Sequence, residues 1–376
     1  MNSLFLIAAF NAFFFAALLI QKKPGALHDR ILFSWLVYLG LFTGIYALFS
    51  ESLFTGYPVL SASFISLLLL HGPFLYLYVS SLVKKTKQRT LRKLIHFAPF
   101  LIFNLYFILL SFHAGAAEHI RLDHSDRDQS TPWFFQVFLV LTVLSGPFYF
   151  IKSSRLFKEL DINIRNNFSY AEGINLGWLR KLVYMFGLVW TLLMIMSTLH
   201  HVFHMFSWVF CTQGITLSLS IFIILIGYFG LKQREIFSFP EKAMVVSQEK
   251  QEKYAGSALK EEDAKQYAER LLSHMGSQKP YLDPDLILPG LADELDIPSH
   301  YLSQIINERI GSNFFDFINQ HRVEEIKRRI ADPSYAHYSL LGIAFESGFN
   351  SKSAFNRVFK KLTGRTPSEF KREQEV

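Results

Sequence analysis

The stretches ADELDIPSHYLSQIINERIG (residues 292–311) and AFESGFNSKSAFNRVFKKLTG (residues 344–364) are two versions of one pattern. Ala292, Ile297 and Ser299 align with Ala344, Phe349 and Ser351 at an offset of 52. After one extra residue, Leu302, Ile306, Gly311 and Phe317 align with Phe355, Phe359, Gly364 and Phe370 at an offset of 53. Each copy predicts a helix, a tight turn and a second helix. Gly348 suits a left-handed turn position, whereas Asp296 at the equivalent place carries a Cβ and adopts it less readily. Ser299 and Ser351 are the expected N-caps of the second helices. Leu302 with Ile306, and Phe355 with Phe359, stand four residues apart, so each pair shares a face that turns inward.

The opposite face carries the chemistry. In the second copy it offers Lys352, Ser353, Asn356, Arg357, Lys360 and Lys361, with no acid among them. In the first it offers His300, Ser303, Gln304 and Asn307, which are neutral hydrogen-bonding groups. Asn and Gln match the edge of adenine, Arg matches guanine, and Lys holds phosphates. From 299 to 372 there are 12 basic and 7 acidic residues, a local excess of the sign that DNA attracts. A merely solvated helix face is the plain alternative. Two copies with matched spacing argue against it.

Upstream lies a polar connector, 232–279, with mixed charges and a single proline, Pro240. Within it Ala264, Tyr267, Ala268, Leu271, Leu272 and Met275 recur at helical spacing behind Glu261, Glu262 and Asp263. Acids in a first turn suit the helix dipole, and the stripe is amphipathic. Two readings stay open: the stripe packs on its own downstream domain, or it pairs two chains as a homodimer.

Farther upstream the composition changes. Residues 1–231 hold 17 Lys and Arg, 9 acids and 29 of the 39 Phe, whereas 232–376 hold 21 basic residues, 22 acids and 10 Phe. Seven stretches lack Asp, Glu, Lys and Arg altogether: 4–20, 31–50, 59–83, 94–113, 133–151, 182–206 and 209–231. Each is long enough for a helix crossing a hydrocarbon core of about 30 Å. The first has no basic residue before its apolar core, while Lys22 and Lys23 follow it, so it reads as a retained span rather than a signal peptide. The first loop carries Lys22, Lys23 and Arg30, the third Lys84, Lys85, Lys87, Arg89, Arg92 and Lys93, and the fifth Arg155, Lys158, Arg165, Arg180 and Lys181. The even loops carry only Arg121 and Arg127. Positive loops stay in the cytoplasm, so the expected topology is N-terminus outside and C-terminus inside.

Catalytic patterns are missing. The sequence has no nucleophile elbow, no phosphate-binding loop and no zinc-protease helix, and Cys211, its one cysteine, has no intramolecular partner. His200 and His204 share a helix face in a spacing that metals use, yet no carboxylate lies in either neighbouring span. The expectation is no metal, no cofactor and no enzyme. The sequences His71, Gly72, Pro73, Phe74 and Ser145, Gly146, Pro147, Phe148 place similar Gly-Pro steps in the third and fifth spans. Proline is tolerated in such helices.

Residues 281–372 resemble the AraC/XylS-type DNA-binding domain. The likeness rests on Ile343, Ala344, Gly348, Phe349, Ser351, Ser353, Phe355, Asn356, Arg357, Phe359, Lys360, Lys361, Gly364, Thr366, Pro367 and Phe370. Leu291, Ala292, Leu302, Ser303, Ile306, Asn307, Gly311, Phe314, Ile318, Asn319, Arg322 and Val323 extend it into the first copy. The resemblance implies two helix-turn-helix units joined by a long helix over 315–331. It implies base-facing His300, Ser303 and Gln304 in one recognition helix and Lys352, Ser353, Asn356 and Arg357 in the other. Many relatives carry a larger or charged residue where Ser303 and Gln304 stand, which lowers the specificity expected of the first helix.

The expected fold class is therefore all-α. A seven-helix transmembrane domain over 1–231 precedes the connector and a cytoplasmic all-helical domain with two helix-turn-helix units over 280–376. The expected function is a membrane-embedded transcription regulator of the bacterial inner membrane. Its partners would be promoter DNA, the lipid bilayer and a small-molecule or membrane signal. The rival classes are a transporter, which would carry ionisable residues inside its spans, and a membrane anchor whose tail serves protein contacts.

Overall fold

Long apolar runs without charges leave the backbone one economical conformation, in which each segment satisfies its own N–H and C=O groups. The computed structural model describes residues 2–22, 26–56, 58–83, 94–112, 133–203, 208–232 and 259–374, and these are helices joined by turns. They fall into two compact units, one of 1–158 with 176–235 and one of 159–175 with 236–376.

The first unit holds α1 (Asn2–Gln21), α2 (Leu27–Gly56), α3 (Pro58–Ser66), α4 (Leu68–Val83), α5 (Ala98–Ser111), most of α6 (Trp133–Asn167), α7 (Gly177–Phe203) and α8 (Trp208–Lys232). Four stretches are long and apolar enough to cross a membrane: Ser3–Gln21, Leu27–Leu48, Ala62–Val83 and Gln136–Asn167. Ile95–Leu110 and Leu217–Leu231 are shorter apolar helices. The run 182–206 extends beyond the described residues, as does His204 with its neighbouring loop.

The run 59–83, expected as one span, is helical with a one-residue interruption at Leu67, between α3 and α4. The α-helical ladder breaks at Leu67, whose carbonyl accepts from the Tyr38 hydroxyl at 2.7 Å as well as from the Leu70 N–H at 2.9 Å. That hydroxyl also lies 3.1 Å from His71 Nε2, so the break has polar partners within the packed interior. Pro73 and Pro147 sit inside α4 and α6, which continue past them. The glycine before each proline has a packing reason: a Cβ on Gly146 would stand 2.3 Å from Trp190 Nε1. The buried interior is aromatic, with Trp35 packed against Phe74, Tyr78 and Phe222. The outward faces are apolar too, with Phe10, Leu101 and Met185 all exposed.

The second unit begins with the polar end of α6. It continues with α9 (Glu261–Ser277), α10 (Leu288–Glu294), α11 (Ser299–Gln304), α12 (Phe314–Ala331), α13 (Leu340–Glu346), α14 (Lys352–Thr363) and α15 (Pro367–Gln374). It has two cores. Leu291, Leu295, Leu302 and Ile306 gather with Phe314, Phe317 and Ile318 in one. Ile343, Phe349, Phe355 and Phe359 gather with Val323 and Ile326 in the other. Helix α12 thus gives its first half to one core and its second half to the next, which is what joining two small units requires.

The stripe on α9 belongs to the first of those cores. Leu271 and Met275 are 0% and 1% exposed there, with Tyr267 packed alongside. Burying side chains of this size contributes about 1.5–3 kcal/mol each, so they are committed to their own domain. Of the two readings of the stripe, packing on its own downstream domain is the one these contacts support. The three acids of the first turn stand where expected, and Arg309 pairs with Glu261.

Candidate nucleic-acid interface

Each copy of the repeat folds as a helix, a left-handed turn residue and a second helix. Asp296 takes φ 49° and Gly348 φ 93°, so the two turn positions are equivalent despite the change of residue. Only the second demands glycine sterically, because a Cβ on Gly348 would lie 2.2 Å from the Tyr281 carbonyl oxygen. Gly311 and Gly364 are left-handed as well, and Gly364 ends α14.

The caps differ. Ser351 Oγ accepts from the Ala354 N–H at 3.1 Å and caps α14. Ser299 does not cap α11, because the helix starts one residue early: Pro298 occupies the N-cap and Ser299 is itself buried in the first turn. Proline has no side-chain acceptor, so that end relies on backbone carbonyls. After Gln304 the backbone widens into a π turn, Ile305–Arg309, which the sequence did not announce.

On α14, Phe355, Val358 and Phe359 face the core. Lys352, Ser353, Asn356, Arg357, Lys360 and Lys361 are exposed on the other side. Four of these side chains are cations in the space of ten residues, and no acid of α14 lies among them. Lys361 is partly committed: its ammonium is 2.8 Å from Asp316 Oδ1 at the start of α12. Burial alone would raise the Asp316 carboxyl. Hydrogen bonds from Lys361 and Asn313, with the charges of Lys361 and Arg165, hold it below its usual range.

The face of α11 is quieter. The His300 ring lies tilted beside Tyr301 with 4.0 Å between ring centres, and Gln304 donates to Glu308 at 2.8 Å. Asn307 donates to the Ser303 carbonyl at 2.8 Å. These groups can hydrogen-bond to bases, but they first have to leave neighbours that already hold them.

Between the two helix-turn-helix copies lies Arg322, buried in α12 at 1% exposure. Its Nε donates to the Tyr281 carbonyl at 2.8 Å and its Nη2 to the Asp283 carbonyl at 2.7 Å. The same guanidinium lies 5.8 Å from the centre of the Phe349 ring, just past the second turn. Burial lowers it to about 10, against the raising charges of Asp283 and Asp285, so it stays charged at neutral pH.

Its remaining donors go to Ser169, a residue in the stretch between the apolar runs 133–151 and 182–206. Arg322 Nη1 reaches the Ser169 carbonyl at 3.0 Å and Nη2 reaches Ser169 Oγ at 2.9 Å. Asn319 donates to the same carbonyl at 3.1 Å, and the Ser169 N–H donates to the Leu286 carbonyl at 3.2 Å. Phe168 and Tyr170 are buried beside it, and Phe168 forms an isolated antiparallel bridge with Ile287. Three residues on, Glu172 accepts from Ser353 Oγ at 2.5 Å. Sequence reasoning missed Ser169, Glu172 and the anchoring role of Arg322. The one available signal is the apolar trio Phe168, Tyr170 and Ile174 inside a loop expected to be polar.

A family profile described as a helix-turn-helix domain matches residues 291–373. Over 87 residues the chain is 32% identical to an uncharacterized HTH-type transcriptional regulator of Staphylococcus aureus (strain COL), a match covering 23% of this chain and 11% of that protein. Over 94 residues it is 34% identical to the uncharacterized transcriptional regulatory protein YesN of Bacillus subtilis (strain 168), covering 24% of this chain and 25% of that one. The chain therefore covers between about a tenth and a quarter of these relatives' own lengths. No solved structure matches. The C-terminal domain is a helix-turn-helix domain of the kind that transcription regulators carry.

Proposed function

We propose that this chain is a membrane-embedded, sequence-specific transcription regulator that binds promoter DNA through its two helix-turn-helix units. The observation that carries the reading is the exposed face of α14, where Lys352, Asn356, Arg357 and Lys360 project from a helix that Ser351 caps and that the core around Phe355 and Phe359 holds in place. In this reading Arg357 and Asn356 meet base edges, while Lys352 and Lys360 meet phosphates. His300, Ser303 and Gln304 supply a weaker second contact from α11. Lys361 contributes steering charge while it remains bridged to Asp316.

Membrane embedding is supported by the four long apolar helices and by the apolar residues on the outward faces of the first unit. The positive odd loops support an N-terminus outside the inner membrane and a DNA-binding domain in the cytoplasm, where DNA is. The membrane half anchors the protein or takes up a signal there.

Genome-wide mapping of DNA bound by the full-length protein, with and without Arg357→Ala, tests the reading. Discrete sites are expected for the wild type, and their occupancy should fall with the substitution. A pair of identical maps with no enriched sites would leave the helix-turn-helix tail to protein contacts.

A further inference from the structure

We propose that the segment 168–174 is an internal clamp that holds the second recognition helix away from DNA. The inference rests on the DNA-binding reading given above and adds its regulation. Two observations join to make the clamp. Ser169 anchors the segment, since its N–H, its carbonyl and its hydroxyl are all bonded, to Leu286, to Arg322 with Asn319, and to Arg322. Glu172 then presents its carboxylate to Ser353, the second residue of α14, at 2.5 Å.

That position is where a recognition helix meets the major groove with its N-terminal residues. While the clamp is shut, Ser353 Oγ spends its only proton on Glu172 and cannot donate to a base or a phosphate. The carboxylate is also a negative charge set in a face that must approach a polyanion with one charge per about 1.7 Å of helix axis. Docking α14 on DNA therefore requires Glu172 to withdraw. DNA and clamp compete for one surface.

The clamp is joined to the apolar half of the chain at both ends, by α6 before it and by α7, which begins at Gly177, after it. Helix α6 runs unbroken from Trp133 to Asn167, and Phe168 is the next residue. Its stretch Gln136–Asn167 is one of the four that are long and apolar enough to span a membrane. A shift of that helix moves the residues that carry Ser169 and Glu172, which gives a membrane event a direct route to the DNA-binding face. Arg322 serves as the pivot, because it holds Ser169 with the same guanidinium that lies against Phe349 at the second turn.

The test uses the full-length chain in phosphatidylglycerol-containing nanodiscs and a labelled duplex recovered from the genome-wide map. Glu172→Ala, which removes both the hydrogen bond and the repulsion, should bind that duplex about three- to tenfold more tightly than the wild type at low salt, and Glu172→Gln, which keeps an acceptor but loses the charge, should gain part of that. Arg357→Ala, run in parallel, should bind more weakly. If Arg357→Ala weakens binding while both Glu172 variants match or fall below the wild type, the clamp is refuted and the DNA-binding reading stands. If the wild type and Arg357→Ala are alike and neither prefers the duplex to a scrambled one, both proposals fall together.

Discussion

Replacing Arg322 by Met is the most demanding test of how the second unit is assembled. The substitution keeps the apolar stem and removes every donor. Four acceptors lose a donor: the carbonyls of Tyr281, Asp283 and Ser169 and the hydroxyl of Ser169. The Ser169 carbonyl keeps Asn319. Leaving a buried acceptor unsatisfied costs about 1–3 kcal/mol, and removing a buried charge returns part of that, so a net loss of about 3 kcal/mol is expected. The natural reporter is the Ser169 amide, which donates to the Leu286 carbonyl and is released only when the segment lifts. At about 1.4 kcal/mol per tenfold, its hydrogen exchange should accelerate roughly a hundredfold in the full-length variant. Amides of α14 in the same protein should change much less, because their core lies around Phe355 and Phe359. An acceleration of the Ser169 amide below about threefold would mean that Arg322 is not what holds the segment down.

Other expectations follow from single contacts. Ser351→Ala should cost about 1 kcal/mol in thermal stability, whereas Ser299→Ala should show no capping loss, because only Ser351 accepts from a helix N–H; equal losses would contradict the asymmetry. Lys360→Ala should weaken all DNA sequences alike and reduce the salt slope by about one ion, and Lys361→Ala should do less because Asp316 already holds Lys361; the reverse order would overturn the assignment. Asp316 is held below its usual carboxylate range when folded, so its stabilisation is complete above the unfolded value of 3.8 and is lost as pH falls through the lower folded value. The stability gap between wild type and Asp316→Asn, followed by pulse proteolysis, should therefore be constant near neutral pH and close in acid.

Much of this fold was legible because its signals are local. The turn at Gly348, the cap at Ser351 and the inward pairs Leu302 with Ile306 and Phe355 with Phe359 are all set within a few residues of sequence, and the structure places each as expected. The joining helix that the family resemblance implies over 315–331 runs from Phe314 to Ala331. Ser299 misled for an equally local reason, since a proline immediately before it takes the cap position. What could not be read was the long-range part. Asn319 and Ser169 are 150 residues apart, and nothing in the spacing of a charged loop says which buried arginine will receive it. The break at Leu67 was hidden likewise, because its stabilising partner is Tyr38 on another helix. The stripe on α9 was legible as a stripe, but its two possible partners present the same periodicity, and only the packed core around Leu271 separates them.

The two recognition helices are unequal, and the inequality is arranged in a particular way. On α11 the polar groups are hydrogen-bonded among themselves, with Gln304 on Glu308 and Asn307 on Ser303, so this helix brings an acid and no free cation to its own face. On α14 the cations are exposed, and counterion release makes such cations the main source of affinity for DNA. An inhibitory contact placed on α11 would therefore remove little binding. Placed on α14, a single carboxylate acts on the helix that supplies most of it, and Glu172 meets α14 at its second residue. A clamp of one hydrogen bond and one charge is also weak enough to be opened by DNA itself at high local concentration. The expected behaviour is thus a graded regulator, whose occupancy rises with both promoter affinity and release of the 168–174 segment, rather than a switch that is wholly closed until a signal arrives.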